Sequence, residues 1–189
     1  MKKLYVVVGA VFCLLTNSIN AQTDAEAKAW AEYMAPGKNH AIMEKETGSW
    51  DAKMKLFTSP DAAPQEYTAN VEINMIMGGR YQESRYKGTI MGMPFEGRSI
   101  LAFDNASKEF KSTWIDNMGT GLLVSKGKLD INNKRFVFEG QSTDPVDGKT
   151  ITTREIYTLV DENTRKIEMF DTKDGKEHKS MEIVLTRKK

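Results

Sequence analysis

A side chain on a β-strand faces either solvent or the interior, so ionisable residues inside strand-like stretches are the first place to look for chemistry. Trp114 alternates with Phe110, Ser112 and Asp116. If the aromatic rings point inward, the Asp116 carboxylate does too, and a carboxylate there must be paired or hydrogen-bonded. Arg154 shares its face with Thr152, Ile156 and Thr158, and Arg85 shares its face with Glu83 and Tyr81. Glu96 stands before Gly97, beside the Met91-Gly92-Met93-Pro94 turn. Gathered around Trp114, the set Arg85, Glu96, Asp116 and Arg154 would suit an anionic or amphipathic ligand, because the guanidinium fork grips a carboxylate in two places. The competing reading is a solvated outer face, or an ion-pair network that braces the scaffold.

Other chemistries find little support. There is no Gly-x-Ser-x-Gly elbow, and with two histidines, His40 and His178, a Ser-His-Asp triad would need a long-range coincidence. Neither histidine has a companion at metal-ligand spacing, and His178 as a lone haem ligand competes with an ordinary place on a hairpin. The stretches DPVDGK and DTKDGK lack the alternating oxygen ligands and distal Glu of a calcium loop and read as turns. No catalytic residue, metal ligand or cofactor is therefore assigned. A pair of carboxylates such as Glu96 and Asp116 could do acid/base work, though nothing in the sequence singles them out for it. Methionines recur in or near the strands, at Met75, Met77, Met91, Met93, Met118, Met169 and Met181, where they would fill an irregular core or line an adaptable pocket.

The elements that must position these residues follow from periodicity. From Gly48 onward the pattern is period two, clearest at residues 68–77, where Ala69, Val71, Ile73, Met75 and Met77 share one face and Thr68, Asn70, Glu72 and Asn74 the other. Similar segments cover 49–58, 80–90, 95–104, 109–117, 121–130, 134–142, 150–160, 165–172 and 178–187, about ten strands, with Asp, Asn, Gly and Pro turns between several. Consecutive antiparallel strands must protect their edges, which predicts an all-β, up-and-down barrel, with a two-sheet sandwich as the alternative. Before the strands, residues 24–46 carry a helical pattern with Asp24 as N-cap and a break at Pro36-Gly37.

The first residues, MKKLYVVVGAVFCLLTNSINAQ, combine Lys2 and Lys3, an apolar run from Leu4 to Leu15 and a small residue at Ala21. This is the layout of a secretory signal peptide cleaved after Ala21; the run is shorter than the roughly 20 residues a membrane span needs. A bulky Phe12 before Cys13 argues against lipidation. Removing residues 1–21 takes two of the 27 basic residues and none of the 26 acidic ones, leaving a net charge of −1 on 168 of the 189 residues. It also removes the only cysteine. A secreted or periplasmic protein is expected, without disulfide or thiol chemistry, with no charge basis for binding nucleic acid or an anionic membrane, and without stable membrane insertion. The division is a leader at 1–21, a helical segment at 22–47 and one barrel at 48–189.

Two motifs then carry a resemblance. Gly48-Ser49-Trp50 at the first strand and Arg187 at the last resemble the calycin (lipocalin-like) signature, in which Gly lets the chain turn in, the indole plugs the floor and a guanidinium covers it by cation–π contact. The segments MGMPFEG, FDN, TWIDNMGTG and the terminal MEI…TRK resemble the bacterial family known as domain of unknown function 1579, from about Pro36 to Lys188. The resemblance implies a calycin-like barrel and no established activity. The chain departs from the family pattern at Arg98-Ser99, where small or apolar residues are usual, and at Ala102-Phe103, where Gly-Tyr is usual.

Three functional expectations follow. The leading one is a binding module holding a small apolar or amphipathic molecule, anionic if the arginines face inward, which requires a cavity of about 300 Å³ or more. The second is a hydrolase or isomerase using interior carboxylates, and the third is a solid barrel whose outer surface or helical start, around Trp30 and Tyr33, meets a protein partner of unspecified kind.

Overall fold

The computed structural model describes residues 23–59 and 62–189, so the expected leader and its cleavage point lie outside the described residues. The chain divides after Ala35 into two units. The first contains a helix over residues 23–34, α1, in which Lys28 and Glu32 pair one turn apart and the Trp30 and Tyr33 rings meet edge to face at 5.8 Å. Thr23 is already helical, so Asp24 sits inside the helix instead of capping it. No helix among the described residues is long and apolar enough to cross a membrane.

The second unit opens with a short helix, α2 (Lys38–Glu44), followed by ten strands among the described residues. These are β1 (Gly48–Leu56), β2 (Gln65–Ile76), β3 (Tyr81–Ile90), β4 (Met93–Asp104), β5 (Glu109–Asp116), β6 (Leu123–Asp130), β7 (Arg135–Thr143), β8 (Thr150–Leu159), β9 (Thr164–Lys173) and β10 (Lys176–Arg187). Every strand pairs antiparallel with the next, and β10 pairs with β1, so the sheet is a closed up-and-down barrel without edges; the two-sheet alternative falls. The strand boundaries match the period-two segments to within a few residues because each segment ends where turn residues begin. The tight turns Met91-Gly92 and Asp174-Gly175 have both residues at positive φ (53° and 76°, 49° and 75°), whose twist matches that of the flanking strands.

Alternation then sorts residues between wall faces. On β2, Ala69, Val71 and Ile73 are buried and their neighbours exposed. Met77, expected on the same inner face, falls beyond the strand end in a turn with φ 51° and is exposed. On β10 the phase is reset by a bulge between Lys179 and Met181. Such an extra residue shifts which side chains face inward, and here it puts Met181, Ile183 and Leu185 inside.

The interior has two clusters. One surrounds Trp50 and includes Val71, Tyr86, Phe95, Ile183 and Leu185; the other joins Met43 of α2 to Phe110, Phe136 and Phe138. α2 packs on β2 and β3 and closes the end of the barrel where β1 begins. His40 belongs to this closure: its Nδ1 accepts the Gly37 N–H at 2.9 Å and its ring meets Phe103 edge-on at 5.9 Å. The opposite end carries the turns at 91–92, 117–122, 144–149 and 174–175.

Candidate functional site

The floor is built first, because everything above it depends on Trp50. Gly48 has φ 134°, and a Cβ there would stand 2.8 Å from an Arg187 guanidinium nitrogen, so only glycine lets the chain turn in beneath that side chain. The Arg187 guanidinium lies 4.1 Å from the Trp50 ring centre and donates to the carbonyls of Thr47 (2.6 Å) and Lys45 (2.7 Å). A second guanidinium, Arg165, stands 5.0 Å from the same indole. It grips the Glu46 carboxylate through Nε (2.6 Å) and Nη2 (3.0 Å), and Tyr157 donates its hydroxyl to the same group at 2.8 Å. The Trp50 indole N–H donates to the Glu46 carbonyl at 2.9 Å. Arg165 and Glu46 are 6% and 7% exposed, so this is a buried charge pair with its remaining hydrogen-bonding capacity met by Tyr157 and by the Asp161 and Thr164 carbonyls. Burial first, and the Glu46 charge second, hold the Tyr157 phenol well above its ordinary range.

Above the floor, a cavity of about 380 Å³ extends from Met43 and Glu46 to a rim at Met91 and Met118. Six of the 11 methionines line it: Met43, Met54, Met91, Met118, Met169 and Met181. Trp114 forms one wall, in edge contact with Tyr86 at 5.2 Å. Its indole lies across Gly97, where a Cβ would come within 2.5 Å of the ring. Among the described residues that line it, none is Lys, Arg or His.

The sequence-derived site is split by the barrel wall. Trp114 and Asp116 line the cavity, as their shared face requires. Asp116 is held in place by two donors, the Trp114 indole N–H (2.7 Å) and the Met118 backbone N–H (2.9 Å). Arg85, Glu96 and Arg154 lie on the outer wall instead. Arg85 binds Glu83 at 2.8 Å, and Arg98 reaches the same carboxylate at 3.3 Å. Glu96 pairs with Lys87 at 3.3 Å in the open. Arg154 donates twice to Glu177 (3.0 and 2.7 Å) and lies 4.4 Å from the Phe170 ring centre. The expected interior quartet therefore does not assemble, and Glu96 and Asp116 face opposite sides of the wall and cannot act on one substrate atom.

The reason is strand phase. On β3 the inward residues are Gln82, Ser84 and Tyr86; on β8 they are Thr153, Glu155 and Tyr157. Glu155 lines the cavity, enclosed by protein but partly open on the side that faces the void. Its carboxylate makes no hydrogen bond or ion pair with any described residue. Burial pushes its carboxyl up to about 7, and both burial and the Glu155 charge raise the Tyr86 phenol. Sequence reasoning missed Glu155, Glu46 and Arg165. The signal for Glu155 was Tyr157 two residues on, but Ile156, paired across the outer wall with Val137, gave the opposite face an equal claim. Among the described residues no three His, Cys, Asp or Glu side chains gather where a metal ion could sit.

The family model described as "Protein of unknown function (DUF1579)" matches residues 35–187, from the residue before Pro36 to the arginine that covers Trp50. The chain belongs to this family. The DUF1579 barrel is similar to the structure of the S-type phycobiliprotein lyase CPES from Guillardia theta, at a TM-score of 0.59 and 12% identity, over 81% of this chain and 94% of that one. At that identity the likeness concerns the fold. No curated protein matches the chain.

Proposed function

We propose that this DUF1579 barrel binds one small, largely apolar molecule in its interior, and that it does so outside the cytoplasm. The observation that carries the reading is the cavity of about 380 Å³ inside a barrel that could have been filled. Ligand pockets run from about 300 to 1,000 Å³ and are mostly apolar with a few placed polar groups. The likeness to a lyase barrel supports the scaffold, not a lyase activity. The methionine lining supports adaptability, since the unbranched thioether repacks around different shapes. With Arg85 and Arg154 on the outer wall, the ligand is neutral or cationic in preference to anionic. Export rests on the leader pattern of residues 1–21 and is checked by N-terminal sequencing of the mature protein, which should begin at Gln22.

The test of binding is titration with N-phenyl-1-naphthylamine, an apolar fluorophore, alongside native mass spectrometry of the purified protein. A single saturable site is expected in the wild type. It should be lost in Ser112→Phe, which places a ring into the cavity from β5. Binding that is unsaturable, or equal in the plugged variant, would place the probe on the outside and remove the reading.

A further inference from the structure

Among the described residues, each carboxylate that faces the interior, with one exception, already has its partners. Glu46 is bound by Arg165 and Tyr157, Asp116 by the Trp114 indole and the Met118 backbone N–H, and Asp171 by the Thr153 hydroxyl at 2.7 Å. The exception is Glu155. It sits in the middle of β8 with Phe138 beside it on β7 and Met169 beside it on β9, neither of which can donate a hydrogen bond. Tyr86, 7% exposed and close enough to feel the Glu155 charge, likewise has no hydrogen-bond partner among the described residues. Its hydroxyl keeps contact with the void, since no fully buried polar side-chain atom among the described residues lacks a partner. Buried polar groups without a partner are rare and each needs an explanation. An acid placed where a Leu would pack is a group waiting for something from outside the chain.

The surrounding charges say what that is. Among the described residues the ionisable groups that face the cavity are Glu46, Tyr86, Asp116, Glu155 and Tyr157, all acids, and the two guanidiniums of the floor are already engaged, Arg165 with Glu46 and Arg187 with the Thr47 and Lys45 carbonyls. No described residue lining the cavity is a base, so an anionic head group would meet uncompensated negative charge in a low-dielectric space, whereas a positive one would meet its counter-ion.

Building on the proposed interior binding, we infer that the ligand is an amphiphile whose nitrogen, protonated or bearing N–H, pairs with the Glu155 carboxylate while its apolar body lies against Trp114 and the methionines, with the Tyr86 hydroxyl contacting the same head group. The class is that of amines and N–H heterocycles with a substantial hydrocarbon or aromatic part. Fatty acids and other apolar carboxylates are excluded by the same charge arrangement.

The experiment displaces N-phenyl-1-naphthylamine with three chains of equal length, dodecylamine, dodecanol and dodecanoate, at pH 8 in wild type and in Glu155→Gln. In the wild type, dodecylamine should displace the probe at a concentration about 10-fold or more below dodecanol, with dodecanoate the weakest, the size of effect a charge-assisted pair gives. In Glu155→Gln the amine-to-alcohol ratio should fall to about 1. The wild-type ratio should also shrink from pH 8 to pH 6, as Glu155 takes up its proton while the amine stays charged. An amine with no advantage in the wild type, or one that keeps its advantage in Glu155→Gln, overturns the assignment of Glu155 while leaving interior binding intact. Absence of any saturable probe binding in both proteins overturns interior binding and this inference together.

Discussion

An unpartnered carboxylate in an apolar cavity should weaken the fold that holds it, and the sign and size of that effect can be worked out for Glu155. Its folded-state value of about 7 lies above the ordinary 4.5, so the folded protein holds on to a proton that the unfolded chain has released. Stability must therefore fall as pH rises from about 4.5 to 7 and stay level above, at least as far as this group is concerned. The full penalty is the difference of the two values at 1.36 kcal/mol per unit, about 3 kcal/mol. Gln has the shape of protonated Glu and no charge to desolvate. Glu155→Gln should thus stabilise the ligand-free barrel by about 3 kcal/mol at pH 8 and by under about 1 kcal/mol at pH 5, where the wild type is already protonated. The assay is urea denaturation of ligand-free protein at both pH values, followed by tryptophan fluorescence, with m-values compared to confirm that the denatured states match. A variant no more stable than the wild type at pH 8, or equally stabilised at both pH values, would mean that Glu155 is solvated or paired in solution and that its burial does not govern its charge.

Arg165→Ala should cost about 3–5 kcal/mol, because it leaves Glu46 charged and buried, whereas Arg154→Ala should cost under about 1 kcal/mol, because its pair with Glu177 stands in solvent; denaturation midpoints separate the two. Gly97→Ala forces the Trp114 indole out of its seat and should cost about 1–3 kcal/mol, with a shift in tryptophan emission as the second readout. Met91→Asn keeps the two-residue turn but places a residue that tolerates positive φ there, so it should raise stability by about 1 kcal/mol while weakening probe binding at the cavity rim.

The barrel was legible in the sequence because closure depends on strand count and turn chemistry, and both are local. Ten runs of alternation punctuated by Asn, Asp and Gly leave few other folds, and Gly48, Trp50 and Arg187 announce the floor. Strand phase was legible only where one face is clearly apolar, as on β5, where Phe110 and Trp114 carry Asp116 inward with them. It was lost on β3 and β8. There the inner face is itself polar, with Gln82, Ser84, Thr153 and Glu155, and the outer face carries Ile156 and well-paired arginines, so hydrophobicity no longer marks the inside. The same circumstance that makes a cavity suited to a polar ligand head erases the pattern from which its position would be read. Arg165 escaped notice for another reason: its partner Glu46 is 119 residues away, at the end of a segment read as helical.

The pairing of β1 with β10 also bears on how the protein comes to be folded. Trp50 sits opposite Arg187, so the floor joins residues near the two ends of the barrel sequence, and the sheet has two raw edges until the tenth strand arrives. Contacts of such long separation bring loop-closure entropy forward and gain late, which places barrels of this kind among the slow folders, in milliseconds to seconds. A chain emerging from synthesis cannot seal itself before Arg187 is available, and until then β1 and the growing sheet expose backbone groups that any other strand could take. The tenth strand acts as the latch, and a nascent chain of this design stays open and dependent on whatever shields its edges until that strand has emerged.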